Sequence, residues 1–317
     1  MFNIVKKIIP RKILFNFKYL KTIMIQKRNK KMCYLEAEKK INKQYYKVNK
    51  NNIDFNNPRT YTEKLNVSKL YNASNNKTLL TDKISVREWV SKVIGEKYLV
   101  PMIGIYDSFD EIDFDKLPEK FVIKCNHDSG SVYVCNNKKE IDYKELKRKY
   151  KFFLKRNFGY LNFEMHYKNI TPKIIIEKNM GKNIKDYKFL CFDGVPYYCW
   201  VDFDRFSNHK RNIYNINWEL QPFNQMNYGN YEHDIKKPKN FDEMKKIAEK
   251  LSKGFDHVRV DLYDIDDNIY FGEMTFTNGN GMEPIYPQKY DLILGNLWKK
   301  FNSKRKDKKN NIIYFDD

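Results

Sequence analysis

With 317 residues, 41% of them hydrophobic and 16% aromatic, the chain can bury a sizeable core, and its length suits one large or two modest domains. Sixty Lys and Arg against 40 Asp and Glu leave a net charge of +20, a long-range field that attracts anions such as nucleic acid, anionic lipid or phosphorylated small molecules. Five cysteines without C-x-x-C spacing indicate neither a disulfide framework nor a zinc site and suit a reducing compartment, and no run of about eighteen apolar residues is present to cross a membrane.

Residues 1–45 read as a basic amino-terminal segment. In "MFNIVKKIIPRKILFNFKYLKTIMIQKRNKKM" ten Lys or Arg and no acid interleave with Ile, Leu and Phe. Lysines interrupt every apolar run and no small-residue cleavage site follows, so this is not a secretory signal. Two readings fit: a basic amphipathic helix through residues 1–32 lying on the inner face of an anionic membrane, or an ordinary helix docking on the globular body. Residues 46–105 read as mostly helical. Thr60 or Thr62 caps a helix in "NPRTYTEKLNVSKLYNAS"; Thr81 or Asp82 opens the helix of "TDKISVREWVSKVIG" and Gly95 ends it, with Ile84, Val86, Trp89, Val90 and Val93 on its apolar face.

From "YLVPMIGIYDSFDEI" the chain turns to sheet, and residues 106–300 alternate strands with helices. "KFVIKCNHDSGSVYVC" is strand, turn, strand, and "KEIDYKELKRKYKFFLKRN" one long helix. "PKIIIEKNM" is a buried strand, and "DYKFLCFDGVPYYCWVDFD" a hairpin turning at Asp193 and Gly194. A helix starting at Asp242 follows, and then the hairpin "VRVDLYDIDDNIYFGEMTFTNGNG". Residues 301–317 form a basic, solvated tail.

That last hairpin sets Arg259, Asp261 and Glu273 into segments otherwise patterned as buried strands. Acids on two adjacent strands can hold a hard cation, since magnesium needs two or three protein oxygens beside water and phosphate. Without a cation, the two carboxylates require compensating charge. Arg259 shares a face with Asp261 by strand alternation and can neutralise it or meet a substrate oxyanion. Lys124, inside an apolar strand and ahead of a turn with Ser129, Gly130 and Ser131, forms a phosphate grip or a lysine that snorkels outward. Glu177 ends a buried strand; Asp186 and Lys188 enter the next one.

The ordered series "NPRTYTEKL", "FVIKCNHDSGSV", "IIIEKNM", "DYKFLCFDG", "DRFSNHKRNIYN" and "VRVDLYDIDDNIYFGEMTFTNGNG" resembles the ATP-grasp superfamily, most closely its TupA-like branch, over about residues 55–298. The resemblance implies an α+β ATP-grasp fold, with nucleotide held between two antiparallel-rich sheets behind a mostly helical amino-terminal region. It implies a ligase using ATP and Mg2+, or Mn2+, that activates a carboxylate as an acyl phosphate for attack by an amine. Lys124 would meet the α- and β-phosphates under a lid from His127 to Ser131. The linker Glu177, Lys178 and Met180, with a hinge near 177–181, would pair with adenine, and Asp186 with ribose. Lys188, joined by Lys210 or Arg211, would reach the phosphates. Asp261 and Glu273 would hold the metal, and Arg259 would steady the acyl group. The superfamily's Glu-x-Asn is here Glu273-x-Thr275, so Thr275, water or Asn278 would complete the metal shell. The branch further implies joining an amino acid to a uronic or related sugar acid, small or glycan-linked, in bacterial surface polysaccharide or capsule biosynthesis. The expected location is cytoplasmic, peripheral on the inner membrane face. No nucleic acid partner is expected, and the oligomeric state is not legible.

A glycosyltransferase is the alternative. It would use an Asp-x-Asp pair, and three are present: Asp113 with Asp115, Asp202 with Asp204, and Asp264 with Asp266. Each lacks the preceding nucleotide-binding strand and helix, and the last is better read as turn chemistry. A noncatalytic nucleic-acid or lipid binder would instead combine the charge with aromatic stacking.

Overall fold

The computed structural model describes residues 11–181, 184–203, 210–226, 228–231, 235–305 and 314–315. Residues 1–10 of the basic segment, the stretch before Lys210 in "DRFSNHKRNIYN" and most of the basic tail lie outside the described residues. Among the described residues five helices come first: α1 (Arg11–Lys30), α2 (Tyr34–Asn49), α3 (Tyr61–Tyr71), α4 (Asn75–Thr81) and α5 (Ser85–Val93). Strands β1 (Met102–Tyr106), β2 (Phe121–Cys125), β3 (Tyr133–Cys135) and β4 (Ile174–Lys178) make a four-stranded sheet in the order β1-β4-β2-β3, with α6 (Tyr143–Phe153) and α7 (Phe158–Asn162) between β3 and β4. Strands β5 (Lys185–Phe192), β6 (Val195–Phe203), β7 (Lys210–Asn215), β9 (His257–Ile265) and β10 (Asn268–Thr275) make a five-stranded sheet in the order β10-β9-β5-β6-β7. The short β8 (Asn224–Gln225) pairs with β11 (Ile285–Tyr286); α8 (Phe241–Ser252) precedes β9, and α9 (Lys289–Leu297) follows β11. The strand pairings within all three sheets are antiparallel.

Local chemistry sets most boundaries. Thr60 caps α3: its hydroxyl accepts from the Glu63 amide while the Glu63 carboxylate accepts from the Thr60 amide at 2.9 Å. Asp82, rather than Thr81, serves the start of α5, accepting from the Ile84 amide at 3.0 Å and the Ser85 hydroxyl at 2.7 Å; Thr81 ends α4. The expected long helix from Lys139 begins only at Tyr143. Asp142 turns its carboxylate onto the Glu145 amide at 2.9 Å, a cap that separates α6 from a short 3-10 turn at Lys138–Glu140. Helix α8 begins one residue ahead of the expected Asp242, after Asn240. The β5–β6 and β9–β10 hairpins of the large sheet turn through left-handed residues, Asp193 with Gly194 and Asp266 with Asp267.

A helix covers one face of each of the two larger sheets. Helix α8 lays Phe241, Met244 and Leu251 over Phe189, Val258, Val260 and Leu262, while α6 packs Leu146 and Tyr150 against Phe121, Ile123 and Ile176. Each such side chain contributes about 1.5–3 kcal/mol on burial. Helix α3 is buried almost all round. The Tyr61 ring meets Phe192, His257 and Trp298, and the Thr62 hydroxyl donates to Asp291 of α9 at 2.5 Å. Helix α1 docks on the body: Phe15 and Tyr19 meet Phe152 edge-on at 5.5 and 5.3 Å, and Asn29 donates to the Tyr160 carbonyl at 2.7 Å. All five cysteines are buried and unpaired, and no helix among the described residues is long and apolar enough to cross a membrane.

Helix α9 crosses the start of α3 at Gly295, where a Cβ would collide with the Arg59 carbonyl and the Thr60 backbone. Gly295→Ala is therefore expected to destabilise the protein more than Thr60→Ala, which removes a cap worth about 1 kcal/mol. Urea unfolding of the two variants provides the comparison.

Candidate functional site

The open face of the large sheet carries a charged row. Glu273 of β10 stands opposite Asp261 of β9, and Asp261 opposite Lys188 of β5. Regular alternation would put Phe271 and Glu273 on one face, yet Phe271 pairs with Leu262 in the core and Glu273 with Asp261 on the polar face. The register shift between them makes Gly272 the extra residue of a bulge, and this changes the phase of the strand. A Cβ at Gly272 would come within 3.0 Å of the Asp261 carbonyl oxygen and 3.1 Å of the Tyr263 ring.

Arg259 organises the row. Its Nε donates to Asp261 Oδ1 at 2.6 Å; Nη2 donates to Asp261 Oδ2 at 2.7 Å, Glu273 Oε1 at 3.1 Å and the Thr275 hydroxyl at 3.0 Å; Nη1 donates to the Asn278 carbonyl oxygen of its side chain. Burial alone would lower the pKa of this guanidinium, but the charge and hydrogen bonds of Asp261 and the charge of Glu273 outweigh it and hold the group above its ordinary value. Lys188 Nζ sits among Asp186, Asp261 Oδ2 at 3.1 Å and Asp202 Oδ2 at 3.9 Å. Burial would also raise the pKa of Glu273. The fields of Lys83, Arg259 and Lys188 and the Thr275 hydrogen bond outweigh it and bring the group down to about 2.

The small sheet faces this row. Lys124 projects from β2 away from the Ile123 and Cys125 core, and its Nζ lies 2.7 Å from Glu177 of β4, which also has Arg87 at 3.7 Å. A narrow cavity is lined by Lys124 and Glu177 of the small sheet, by Tyr263, Gly272 and Glu273 of the large one, and by Leu80, Lys83, Val86 and Arg87 of the α4–α5 segment. The turn after β2 is tied down. The Ser131 hydroxyl accepts from the Cys125 amide at 2.9 Å and donates to Asp128 at 2.5 Å, and Asp128 is paired with Arg156. Ser129 and Gly130, with its φ of 83°, are exposed at the tip, as is Val132 after it. His127 is buried, its Nδ1 beside Asn126 Oδ1 at 3.3 Å, and desolvation lowers its pKa. In the linker, the Lys178 amide donates to the Pro101 carbonyl and the Gly181 amide to Asn179; Met180 is half-buried between them.

Arg211 does not join the row as an open cation. Its Nε and Nη2 pair with Asp202 at 2.6 and 3.0 Å and its Nη1 donates to Gln225 at 2.9 Å, while Lys210 begins the edge strand β7 beside Gly229. The Asp-x-Asp pairs are scattered: Asp113 caps a surface turn, Asp202 serves Arg211, Asp266 forms the β9–β10 turn, and Asp204 is outside the described residues.

Behind Arg259 the segment Asn278–Gly281 runs through three successive left-handed residues, Gly279, Asn280 and Gly281. Buried groups hold it from two sides. Lys69 of α3 donates to the Asn280 backbone carbonyl at 2.7 Å and to its side chain at 3.0 Å; Glu164 accepts from the Thr277 hydroxyl. Burial pushes the Lys69 ammonium down to about 7, against the field of Glu164, whose own pKa burial raises. Asn66 adds a bond to the Gly281 carbonyl at 2.6 Å.

The donor set suits a hard divalent cation. Glu273 stands opposite Asp261 and keeps 41% of its side chain exposed, with the Thr275 hydroxyl 2.9 Å from its Oε1; the Asp261 oxygens accept from Arg259 and Lys188, contacts that a cation would share or replace. Among the described residues no three His, Cys, Asp or Glu converge as a closed cage. A metal here would rely on water and phosphate oxygens for its remaining ligands, as magnesium does, and manganese accepts the same donors. Lys83, Gln225, Lys69 and Glu164 were not marked by any sequence motif, and Asp202 was marked only as half of an Asp-x-Asp pair. Lys83, inside "TDKIS", reads locally as an exposed lysine before a helix.

Two antiparallel sheets facing each other across a lysine- and carboxylate-lined cavity define an ATP-grasp fold. The chain belongs to the TupA-like ATPgrasp family, whose model matches residues 63–299. Similar solved structures include a D-alanine–D-alanine ligase from Bacillus anthracis, at 16% identity and TM-score 0.41, covering 73% of this chain and 69% of that one. An L-amino acid ligase from Bacillus licheniformis is similar at 14% identity and TM-score 0.42, covering 69% of this chain and 50% of that one. No curated protein matches the chain.

The folded pKa of Glu273 lies below its ordinary value of 4.5, so its contribution to stability is complete above about pH 4.5 and lost as pH falls toward 2. Glu273→Gln should flatten that part of the stability profile, read as the urea midpoint against pH. Lys69→Met should lower stability by about 1–3 kcal/mol, because it leaves the Asn280 carbonyl without its buried donor. A wild-type urea midpoint in this variant would contradict the role given to Lys69.

Proposed function

We propose that the protein is an ATP- and magnesium-dependent carboxylate–amine ligase that joins an amino acid to a uronic or related sugar acid, free or glycan-linked, in bacterial surface polysaccharide biosynthesis. The observation that carries this reading is the Glu273–Asp261–Lys188 row with Arg259 behind it, facing Lys124 across the cavity between the sheets. Family membership supports the nucleotide, and the chemistry of the row supports phosphoryl transfer to a carboxylate.

In this reading a substrate carboxylate oxygen attacks the γ-phosphorus of ATP and ADP leaves. The amine then attacks the acyl carbon, and inorganic phosphate departs as the amide forms. Asp261 and Glu273, with Thr275 beside them, would hold magnesium, which would supply neutralisation of phosphate charge. Lys124 exchanges its contact with Glu177 for the α- and β-phosphates, and the exposed Ser129–Gly130 tip covers them. Lys188 exchanges an aspartate for the transferring phosphoryl group. Arg259, held in a fork by Asp261, exchanges a contact with Glu273, Thr275 or Asn278 for the oxyanion at the acyl carbon. The Met180 backbone, between two amides already engaged, meets the adenine edge. The location in this reading is the cytoplasm, at the inner membrane face.

The assay is ADP formation with ATP, magnesium and pools of amino acids and uronic acids, with conjugates identified by mass. Asp261→Asn and Glu273→Gln are each expected to lower kcat by about a hundredfold or more, the scale of losing a preorganised charge contact. Lys124→Ala should raise KM for ATP about tenfold. Full turnover in the carboxylate variants, or UDP release from nucleotide sugars with ATP inert, would overturn the assignment.

A further inference from the structure

Helix α1 meets the body along one side only. Phe15, Tyr19, Gln26 and Asn29 turn inward at three- to seven-residue intervals, while Phe17, Leu20 and Met24 form a stripe on the outer side and are 70%, 58% and 71% exposed. Lys21, Lys27, Arg28 and Lys31 flank that stripe and are exposed with it.

Beside the helix runs an open groove of about 610 Å³ between α1 and α6. It lies on the outer side of α6, whose Leu146 and Tyr150 cover the face of the small sheet opposite Lys124, so it is separate from the cavity between the sheets. Arg148 stands in it with Lys144 and Lys151. The two acids of the groove are engaged elsewhere: Asp142 caps α6 and Glu145 pairs with Lys149 at 2.7 Å. Arg148 rests on the Phe15 ring at 4.5 Å, and its Nε and Nη1 are buried without a hydrogen-bond partner. A buried guanidinium edge with no acceptor is costly, and an anion entering the groove would supply one.

We propose that this face docks on an anionic phospholipid bilayer. Phe17, Leu20 and Met24 enter the boundary between headgroups and acyl chains, the flanking cations lie over the phosphates, and Arg148 takes one lipid phosphate in the groove. The apolar stripe selects this occupant. A soluble polyanion or free phosphate would satisfy the cations and leave three large apolar side chains in water. The proposal deepens the membrane location given above and is independent of the ligase chemistry.

The test is flotation of the full chain with vesicles of phosphatidylcholine alone or with 30% phosphatidylglycerol, at about 0.15 M salt, alongside ADP formation in solution. The intact chain should bind the anionic vesicles only. Phe17→Ser/Leu20→Ser/Met24→Ser should lose at least tenfold in vesicle affinity, and Arg148→Gln about threefold to tenfold. Lys246→Gln/Lys250→Gln, on the exposed side of α8, should bind as the wild type. Melting curves establish that each variant is folded. Absence of vesicle binding by the intact chain overturns the docking face and leaves the ligase assay to stand or fall separately. Wild-type binding by the triple variant, or equal losses in the α8 variant, overturns it too by showing attraction through charge alone. Wild-type affinity in Arg148→Gln removes the phosphate seat.

Discussion

A buried arginine that must be answered on every edge organises this molecule. Arg259 can stay charged inside the fold only because Asp261 takes two of its donors while Glu273, Thr275 and Asn278 take the rest. The reverse dependence is as strict. Asp261 and Glu273 stand directly opposite each other on adjacent strands, where two carboxylates would repel without a cation between them. Glu273 therefore needs the bulge at Gly272, and Asn278 needs its left-handed segment. That segment is anchored in turn by Lys69 and Asn66 of α3. The helices ahead of the sheets thus belong to the mechanical frame of the site.

The same arrangement separates scaffold charges from working charges. Arg211 and Asp202 pair bidentately and Gln225 accepts from Nη1, so the pair fixes β6 to β7 and leaves little for a ligand. Lys124 and Lys188 each hold a carboxylate that a phosphate can replace. Glu273 has one half-exposed carboxylate directed at the cavity. The cavity is narrow as it stands, and the groups that line it come from both sheets and from the α4–α5 segment that carries Lys83 and Arg87.

Much of this was legible in the sequence because it is local. Charges placed in apolar strands marked Lys124, Lys188, Arg259, Asp261 and Glu273, and the hairpins announced themselves at Asp193–Gly194 and Asp266–Asp267. What was not legible depends on pairing across the chain. Lys69 and Glu164 are far apart in sequence and sit in unremarkable helical and loop contexts; only folding brings them to the two sides of one segment. Lys83 acts on Glu273 through space. Strict alternation cannot by itself place Glu273 opposite Asp261, since the extra residue that achieves it is a glycine with no side chain to betray it. The question of whether Thr275 and Asn278 complete a metal shell also changes form: both are already partners of Arg259.

The five buried cysteines carry a practical consequence. Cys125 and Cys135 lie in the small sheet, Cys191 and Cys199 in the large one, and Cys33 beside α2. Burial raises the thiol pKa of the four strand cysteines, so none is a ready thiolate in the native state. Alkylation at a given thiol then reports the opening of the sheet that encloses it. The native chain carries reporters of local unfolding in both halves of its nucleotide fold, and peptide mapping after timed labelling can follow the two halves separately without any engineered probe.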